Sequence, residues 1–293
     1  MPESYRLLRL ADCDSTNDYL KQPLPPELEG SLPAFVLAAR QSAGHGRLGR
    51  SWSSPLGGIY LSLLWPEAVP VAQASALPLV VAAAVRAACQ PLTIQRLAIK
   101  WPNDILVVAG ENLSKLAGIL VEMHHGQPII GIGLNVYDSS LSLLPAATST
   151  KPEATASAHL AKLKAPQPAT TTPLAASTSP VVGLPQAWLA DDPADQVAGQ
   201  TLLEQAVTAL TDRLLAYLVA WQAAGFSFQP FRQEYRQALI QMYQDVEVYD
   251  ALGSCIATGT VQGVDATGRL ELAGAQGRLT VASGDVTLRS SVQ

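Results

Sequence analysis

Cysteine is scarce in this sequence. Cys13, Cys89 and Cys255 lie far apart with no CxxC pair, which argues against a disulfide framework or a zinc ribbon and leaves ordinary reduced thiols. Charge is sparse too, at 15% of residues against 48% hydrophobic, and the net charge is −5. The basic excess of a phosphate-tracking protein is missing, so nucleic acid is not expected as a main partner. No apolar run is expected to span a bilayer: the longest candidate, Ala76–Cys89, is short and interrupted by Arg86. Met1–Leu10 alternates charged and apolar residues where a secretion signal needs a basic start and an apolar middle. The expectation is a cytoplasmic protein with no membrane partner.

What is present is a patterned chain of 293 residues, long enough for a large domain followed by a small one. Short apolar strands are expected at Arg6–Leu10, Phe35–Arg40, Ile59–Trp65, Leu97–Trp101, Ile105–Val108, Leu116–Met123 and Pro128–Val136. Ser15 or Asp14 caps a helix at Thr16–Leu20, and Ala72–Cys89 has the length and alanine content of a buried helix. This order predicts an α+β domain with a mixed or largely antiparallel sheet. Pro145–Gln186 contains no Phe, Tyr or Trp and reads as a flexible insertion without a core of its own. Gln200–Ala224 then carries Leu203, Val207, Leu210, Leu214, Leu218 and Trp221 at helical spacing, and a second helix is expected over Phe231–Met242. From Val246 short strands and Gly-containing turns predict a small β-barrel, giving domains at 1–242 and 243–293.

Four segments carry polar residues where strands should be plain. Gly44-His45-Gly46-Arg47-Leu48-Gly49-Arg50 puts backbone N–H groups and guanidinium forks within reach of one polyanion, although such a loop can equally be a solvated basic surface. It lacks the GK[ST] ending of a Walker loop. Lys100-Trp101-Pro102-Asn103-Asp104 ends a strand in a turn that is common in hairpins. Lys115 opens an apolar strand, three residues before Gly118. Gly131-Ile132-Gly133-Leu134-Asn135 offers two glycines against which a ligand can lie. His124-His125 reads as an exposed turn, and no dedicated metal site is expected.

Together with Asp14-Ser15-Thr16-Asn17 and Trp52-Ser53-Ser54-Pro55, these segments follow the order and spacing of the biotin protein ligases, which the chain resembles strongly from Leu8 to about Val136. The resemblance continues weakly through Leu141–Thr148 to a barrel ending at Gly284–Arg289. It implies a catalytic domain like that of class II aminoacyl-tRNA synthetases, followed by an SH3-like barrel. It implies ATP-dependent activation of biotin as biotinyl-AMP and transfer to a lysine of a biotin carboxyl carrier protein domain, with Mg²⁺ as the ATP counter-ion. By resemblance Lys115 serves the biotin carboxylate and the α-phosphate, while Arg47 and Arg50 serve the acyl phosphate and pyrophosphate. Ser15, Thr16, Asn17, Gln41, Gly44, His45, Gly46, Gly118 and Gly133 surround biotin. Trp52 is the adenine platform, Lys100, Asn103 and Asn135 flank the nucleotide, and Asp104 orients or deprotonates the incoming amine. The family loop reads GRGRxGRxW, so His45 stands where an arginine is usual. Lipoate or octanoate transfer is the nearest alternative, a DNA-binding repressor is disfavoured because Ser15 lies so near the start, and a homodimer is left open.

Overall fold

The computed structural model describes residues 5–30, 33–136, 193–283 and 287–290. Seven strands make one sheet: β1 (Arg6–Cys13), β2 (Ala34–Gln41), β3 (Ile59–Leu64), β4 (Arg96–Lys100), β5 (Asp104–Ala109), β6 (Asn112–His124) and β7 (Gln127–Leu134). Their spatial order is β1-β2-β3-β7-β6-β5-β4. β1 and β2 pair parallel and every other neighbour is antiparallel, so the sheet is mixed, as expected. β2 and β3 read as nearly continuous apolar runs because both of their faces are covered.

A short α1 (Thr16–Leu20) covers one face, with Leu20 and Leu28 packed against Val36, Leu64 and Ile129. The other face carries the main core, which includes α3 (Leu77–Cys89), α4 (Pro193–Ala223) and α5 (Arg232–Ala238). Apart from Arg86, α3 is apolar on all sides, as suits a helix caught between a sheet and a second helix. On α4 the predicted stripe is buried at Val207, Leu210, Leu214, Leu218 and Trp221 and only partly buried at Leu203.

Some boundaries differ from the sequence reading. The expected helix Ala72–Cys89 is two helices, α2 (Val71–Ala74) and α3, with Pro78 in the first turn of α3 where a missing N–H costs nothing. The run is also longer than expected: Val71–Leu92 spans 22 residues with a mean hydropathy of 1.6, long and apolar enough by composition to cross a membrane. The apolar side chains of α3 within it are instead part of the main core. The second expected helix, Phe231–Met242, is only α5, because Leu239 turns extended and Ile240 donates its N–H to Ile99 O at the end of β4. That tertiary pairing outweighs local helix propensity.

The C-terminal strands β8 (Asp245–Tyr249), β9 (Cys255–Val264), β10 (Leu270–Gly274), β11 (Gly277–Val281) and β12 (Thr287–Ser290) form an antiparallel sheet in the order β11-β10-β9-β8-β12. Its core residues Val246, Val248, Val261, Leu270 and Leu288 are continuous with Phe228, Phe231 and Tyr235, so this sheet is packed on α5 and the turn before it. The expected insertion Pro145–Gln186 and the segment Leu141–Thr148 lie outside the described residues.

Candidate active site

A cleft of about 1030 Å³ opens on the α1 face of the large sheet. Strand register decides which side chains reach it. Tyr60 faces Gly133, Ser62 faces Gly131, and Gly118 and Glu122 face Gly133 and Ile129 across β6 and β7. Period two therefore puts Tyr60, Ser62, Gly118, Gly131, Gly133 and Glu122 on one face. Simple alternation would place Lys115, an odd number of residues from Gly118, on the opposite face. A β-bulge prevents this: Ile105 pairs with Ala117 and Leu106 with Lys115, so Leu116 is the extra residue. Leu116 and Ala117 are both fully buried, and Lys115 turns to the cleft. Asn135 closes the bulge, donating its N–H to Leu116 O and Nδ2 to Lys115 O.

Lys115 Nζ lies 2.9 Å from Asp104 Oδ1 and 5.0 Å from the Trp52 ring centroid. Ammonium, carboxylate and indole thus meet at the middle of the cleft, a cation held between an anion and a π-face. A Cβ on Gly133 would land on the Trp52 indole, and one on Gly118 would sit 2.9 Å from it. The bare backbone of these strands is what lets the indole lie flat there. The Trp101-Pro102-Asn103 turn sets Asn103, whose Nδ2 donates to Ile119 O and whose Oδ1 accepts from Arg47 Nη1. Arg47 also donates through Nη2 to Ser283 O of the barrel, so this guanidinium spans the junction of the two sheets. Behind the turn, Tyr235 OH donates to Pro102 O; burial first, and the Asp104 charge second, push its phenol well above the usual range and keep it protonated.

At the other end, Ser15 caps α1 by accepting from Asp18 N. Thr16 N donates to Gln41 Oε1 and Gln41 Nε2 donates to Ser54 Oγ, which ties α1 to the strand leading into Trp52. A charged group lies beneath: Lys21 Nζ bonds Asp18 Oδ1 at 2.6 Å and Glu122 Oε1 at 3.0 Å. Burial opposes the Lys21 charge, but hydrogen bonds and attraction from both carboxylates outweigh it and raise its pKa above the ordinary lysine value. His45 sits between the same acids, Nδ1 at 3.7 Å from Asp18 and Nε2 at 3.8 Å from Glu122. Asp18, His45 and Glu122 are the described residues grouped closely enough to hold a metal ion. The ammonium of Lys21 already takes the position of a cation between the two carboxylates.

The structure brings almost all the predicted residues together. Ser15, Thr16, Asn17, Gln41, His45, Gly46, Arg47, Arg50 and Trp52 line the cleft, as do Lys100, Asn103, Asp104, Lys115, Gly118 and Gly133. Gly44 and Asn135 do not line it. Gly44 lets the loop fold against Ser54 and Gln41, and Asn135 braces the bulge. The glycine-arginine loop is more regular than expected: it forms a 3-10 turn at Arg47–Gly49 inside a hairpin in which His45 pairs with Ser51. Ser62, Lys21, Asp18 and Glu122 escaped the sequence reading; a serine in the otherwise apolar β3 and a glutamate in the otherwise apolar stretch Leu116–Met123 of β6 were the available signal. The adjacent histidines do form a hairpin end, His125 and Gly126 both having positive φ. All three cysteines are free thiols: Cys89 is buried, Cys13 partly so, and Cys255 is exposed.

Residues 11–136 match the biotin/lipoate A/B protein ligase family, and residues 251–289 match the biotin protein ligase C-terminal domain. The chain is 44% identical over 137 residues to a biotin–[acetyl-CoA-carboxylase] ligase of Paracoccus denitrificans, covering 43% of this chain and 53% of that protein. It is 36% identical over 129 residues to the bifunctional ligase/repressor BirA of Escherichia coli, covering 42% of this chain and 38% of that one. It thus spans about half the length, or less, of these curated relatives. Its fold resembles a biotin protein ligase from Aquifex aeolicus in complex with biotin and ATP, with a TM-score of 0.66, 24% identity and coverage of 98% and 99% of the two chains. The two matched regions follow one another in the chain as a biotin/lipoate A/B protein ligase region and, behind it, a biotin protein ligase C-terminal region.

Proposed function

We propose that this protein is an ATP-dependent ligase that converts biotin to biotinyl-AMP and passes the biotinyl group to a lysine of a biotin carboxyl carrier protein domain. The observation that carries this reading is the bulge that turns Lys115 into the cleft beside Asp104 and Trp52, between a hydroxyl-lined buried end and an arginine-bearing loop. Adenylation brings two anions together, and like charges at about 4 Å repel by roughly 4 kcal/mol at an effective dielectric near 20. The Lys115 ammonium offsets that repulsion as the biotin carboxylate attacks the α-phosphate and pyrophosphate leaves. Arg47 and Arg50 take the acyl phosphate and pyrophosphate, and Lys100, Asn103 and Asn135 flank or brace the nucleotide side. Trp52 is the flat wall against which adenine and the biotin tail meet. In the second step Asp104, already bonded to an ammonium, orients the incoming lysine amine for attack on the mixed anhydride, and AMP leaves.

Mg²⁺ enters with ATP, held by phosphate oxygens. The described residues provide no spare carboxylate cage for it, since Asp104 is bonded to Lys115 and the Asp18–Glu122 pair to Lys21. The domain division is placed near residue 242, before β8, and the location is cytoplasmic. Lipoate or octanoate is the competing substrate class. Ser15, Thr16 and Asn17 are buried at the end of the cleft, where an alkyl tail makes no hydrogen bond with them, at a cost in affinity relative to a polar ring. A cyclic urea satisfies them. The test offers labelled biotin or octanoate with ATP and a biotin carboxyl carrier domain. Label from biotin on the carrier lysine is expected, and label from octanoate alone would reverse the assignment.

A further inference from the structure

Ser62 lies behind the biotin end of the cleft, fully buried, with its hydroxyl 2.6 Å from Asn17 Oδ1 and 2.7 Å from Thr16 Oγ1. It has one proton for two neighbours. Which neighbour receives it is decided farther back. Glu122 Oε2 lies 2.8 Å from Asn17 Nδ2, and a carboxylate only accepts, so the amide of Asn17 must present N–H to Glu122 and its oxygen to Ser62. An amide oxygen only accepts, so the Ser62 proton goes to Asn17. The Thr16 hydroxyl then donates to Ser62, and its single proton is used. Its contact with Gln41 Oε1, at 3.1 Å, is longer than a normal hydroxyl hydrogen bond and is the one left without a proton.

We infer that Glu122, which does not line the cleft, fixes the hydrogen-bond polarity of the pocket through Asn17 and Ser62, holding Thr16 Oγ1 as an acceptor. Ser15 Oγ accepts from Asp18 N and keeps its own proton to donate. The end of the cleft therefore offers a donor beside an acceptor, and it demands of a ligand a carbonyl oxygen next to an N–H. This inference rests on the biotin reading above and deepens it: Glu122 is a positioning residue for specificity toward the cyclic urea, acting without touching it.

Lys21 makes the idea testable. Its ammonium only donates and bonds the other Glu122 oxygen. In Glu122→Gln the Lys21 ammonium pins the amide oxygen, so the amide N–H₂ turns to Asn17. Asn17 must flip, Ser62 then donates to Thr16, and the Thr16 proton is released to turn to Gln41 Oε1 or to an acceptor on the ligand. Adding Lys21→Met removes the pin and lets the glutamine oxygen return to Asn17. Ser62→Ala releases the same proton by deleting its acceptor.

The measurement is calorimetric affinity for biotin and for the two cyclic-carbamate analogues that replace one or the other ureido N–H by a ring oxygen. For the wild type, one analogue is expected to bind about 100-fold more weakly than biotin, as for an acceptor facing buried lone pairs. Glu122→Gln and Ser62→Ala each reduce that penalty about 10-fold, and Lys21→Met/Glu122→Gln restores it, a rescue that mere loosening of the fold does not produce. Equal penalties in wild type and both single variants, or a double variant no different from Glu122→Gln, overturn the inference while leaving the biotin reading intact. No biotin binding by the wild type overturns both.

Discussion

Replacing Lys115 by alanine removes the one ammonium that the bulge delivers beside Asp104 and Trp52. A unit charge about 4 Å from a phosphate is worth roughly 4 kcal/mol at an effective dielectric near 20, and deleting a single transition-state donor costs on the order of 10²–10³-fold in rate. Asp104, at 2.9 Å, draws part of that charge, which places the loss at the lower end of the range. The expected result is adenylation slowed by about 100-fold, read as biotin-dependent ATP–pyrophosphate exchange. Stability should change by only about 1 kcal/mol, because both members of the pair are partly exposed. Lys115 and Asp104 act as a unit in the first step, so Lys115→Ala/Asp104→Ala should be no more than about threefold slower than Lys115→Ala. Near-normal exchange in Lys115→Ala, or a further large drop in the double variant, would refute the reasoning.

A Cβ on Gly131 would land on Asn17 Oδ1, so Gly131→Ala must displace that side chain; biotin affinity should fall by about 10-fold or more, and unchanged affinity in a titration would show that Asn17 has room to move. His45→Arg brings a permanent cation to the carboxylates of Asp18 and Glu122, a partly exposed pairing worth about 0.5–1 kcal/mol, so biotinyl-AMP should dissociate roughly two- to fivefold more slowly; an unchanged off-rate would detach this residue from loop closure. Thiol reactivity should be ordered. Burial, with Asp14 and Asp12 adding to it, pushes Cys13 up to about 11, and burial alone pushes Cys89 up to about 12, so a maleimide at pH 8 should label exposed Cys255 first and Cys89 only on unfolding; early labelling of Cys89 by mass spectrometry would contradict the packing.

The fold was legible where residues act locally or by period. Ser15 as a cap, the apolar strand expected at Pro128–Val136 and most of the α4 stripe state their own structure, and the structure bears them out. Features set by distant contacts were not legible. Leu239 leaves the helix because Ile240 pairs with Ile99, which no propensity at position 239 foretells. The site shows the same division. Lys115 and Gly118 both stood out in the sequence, yet strict alternation puts them on opposite faces, and only the extra residue Leu116 unites them. The resemblance sets His45 around biotin, but its ring lying between Asp18 and Glu122 could not be read from the loop. Glu122 drew no notice at all, because its significance lies in holding Asn17 and Lys21 from a neighbouring strand.

ATP–pyrophosphate exchange with biotin, octanoate and lipoate offered separately tests the proposed chemistry most directly. Exchange that depends on biotin and is absent with the two fatty acids is the predicted result. Exchange supported by octanoate or lipoate but not by biotin would contradict it.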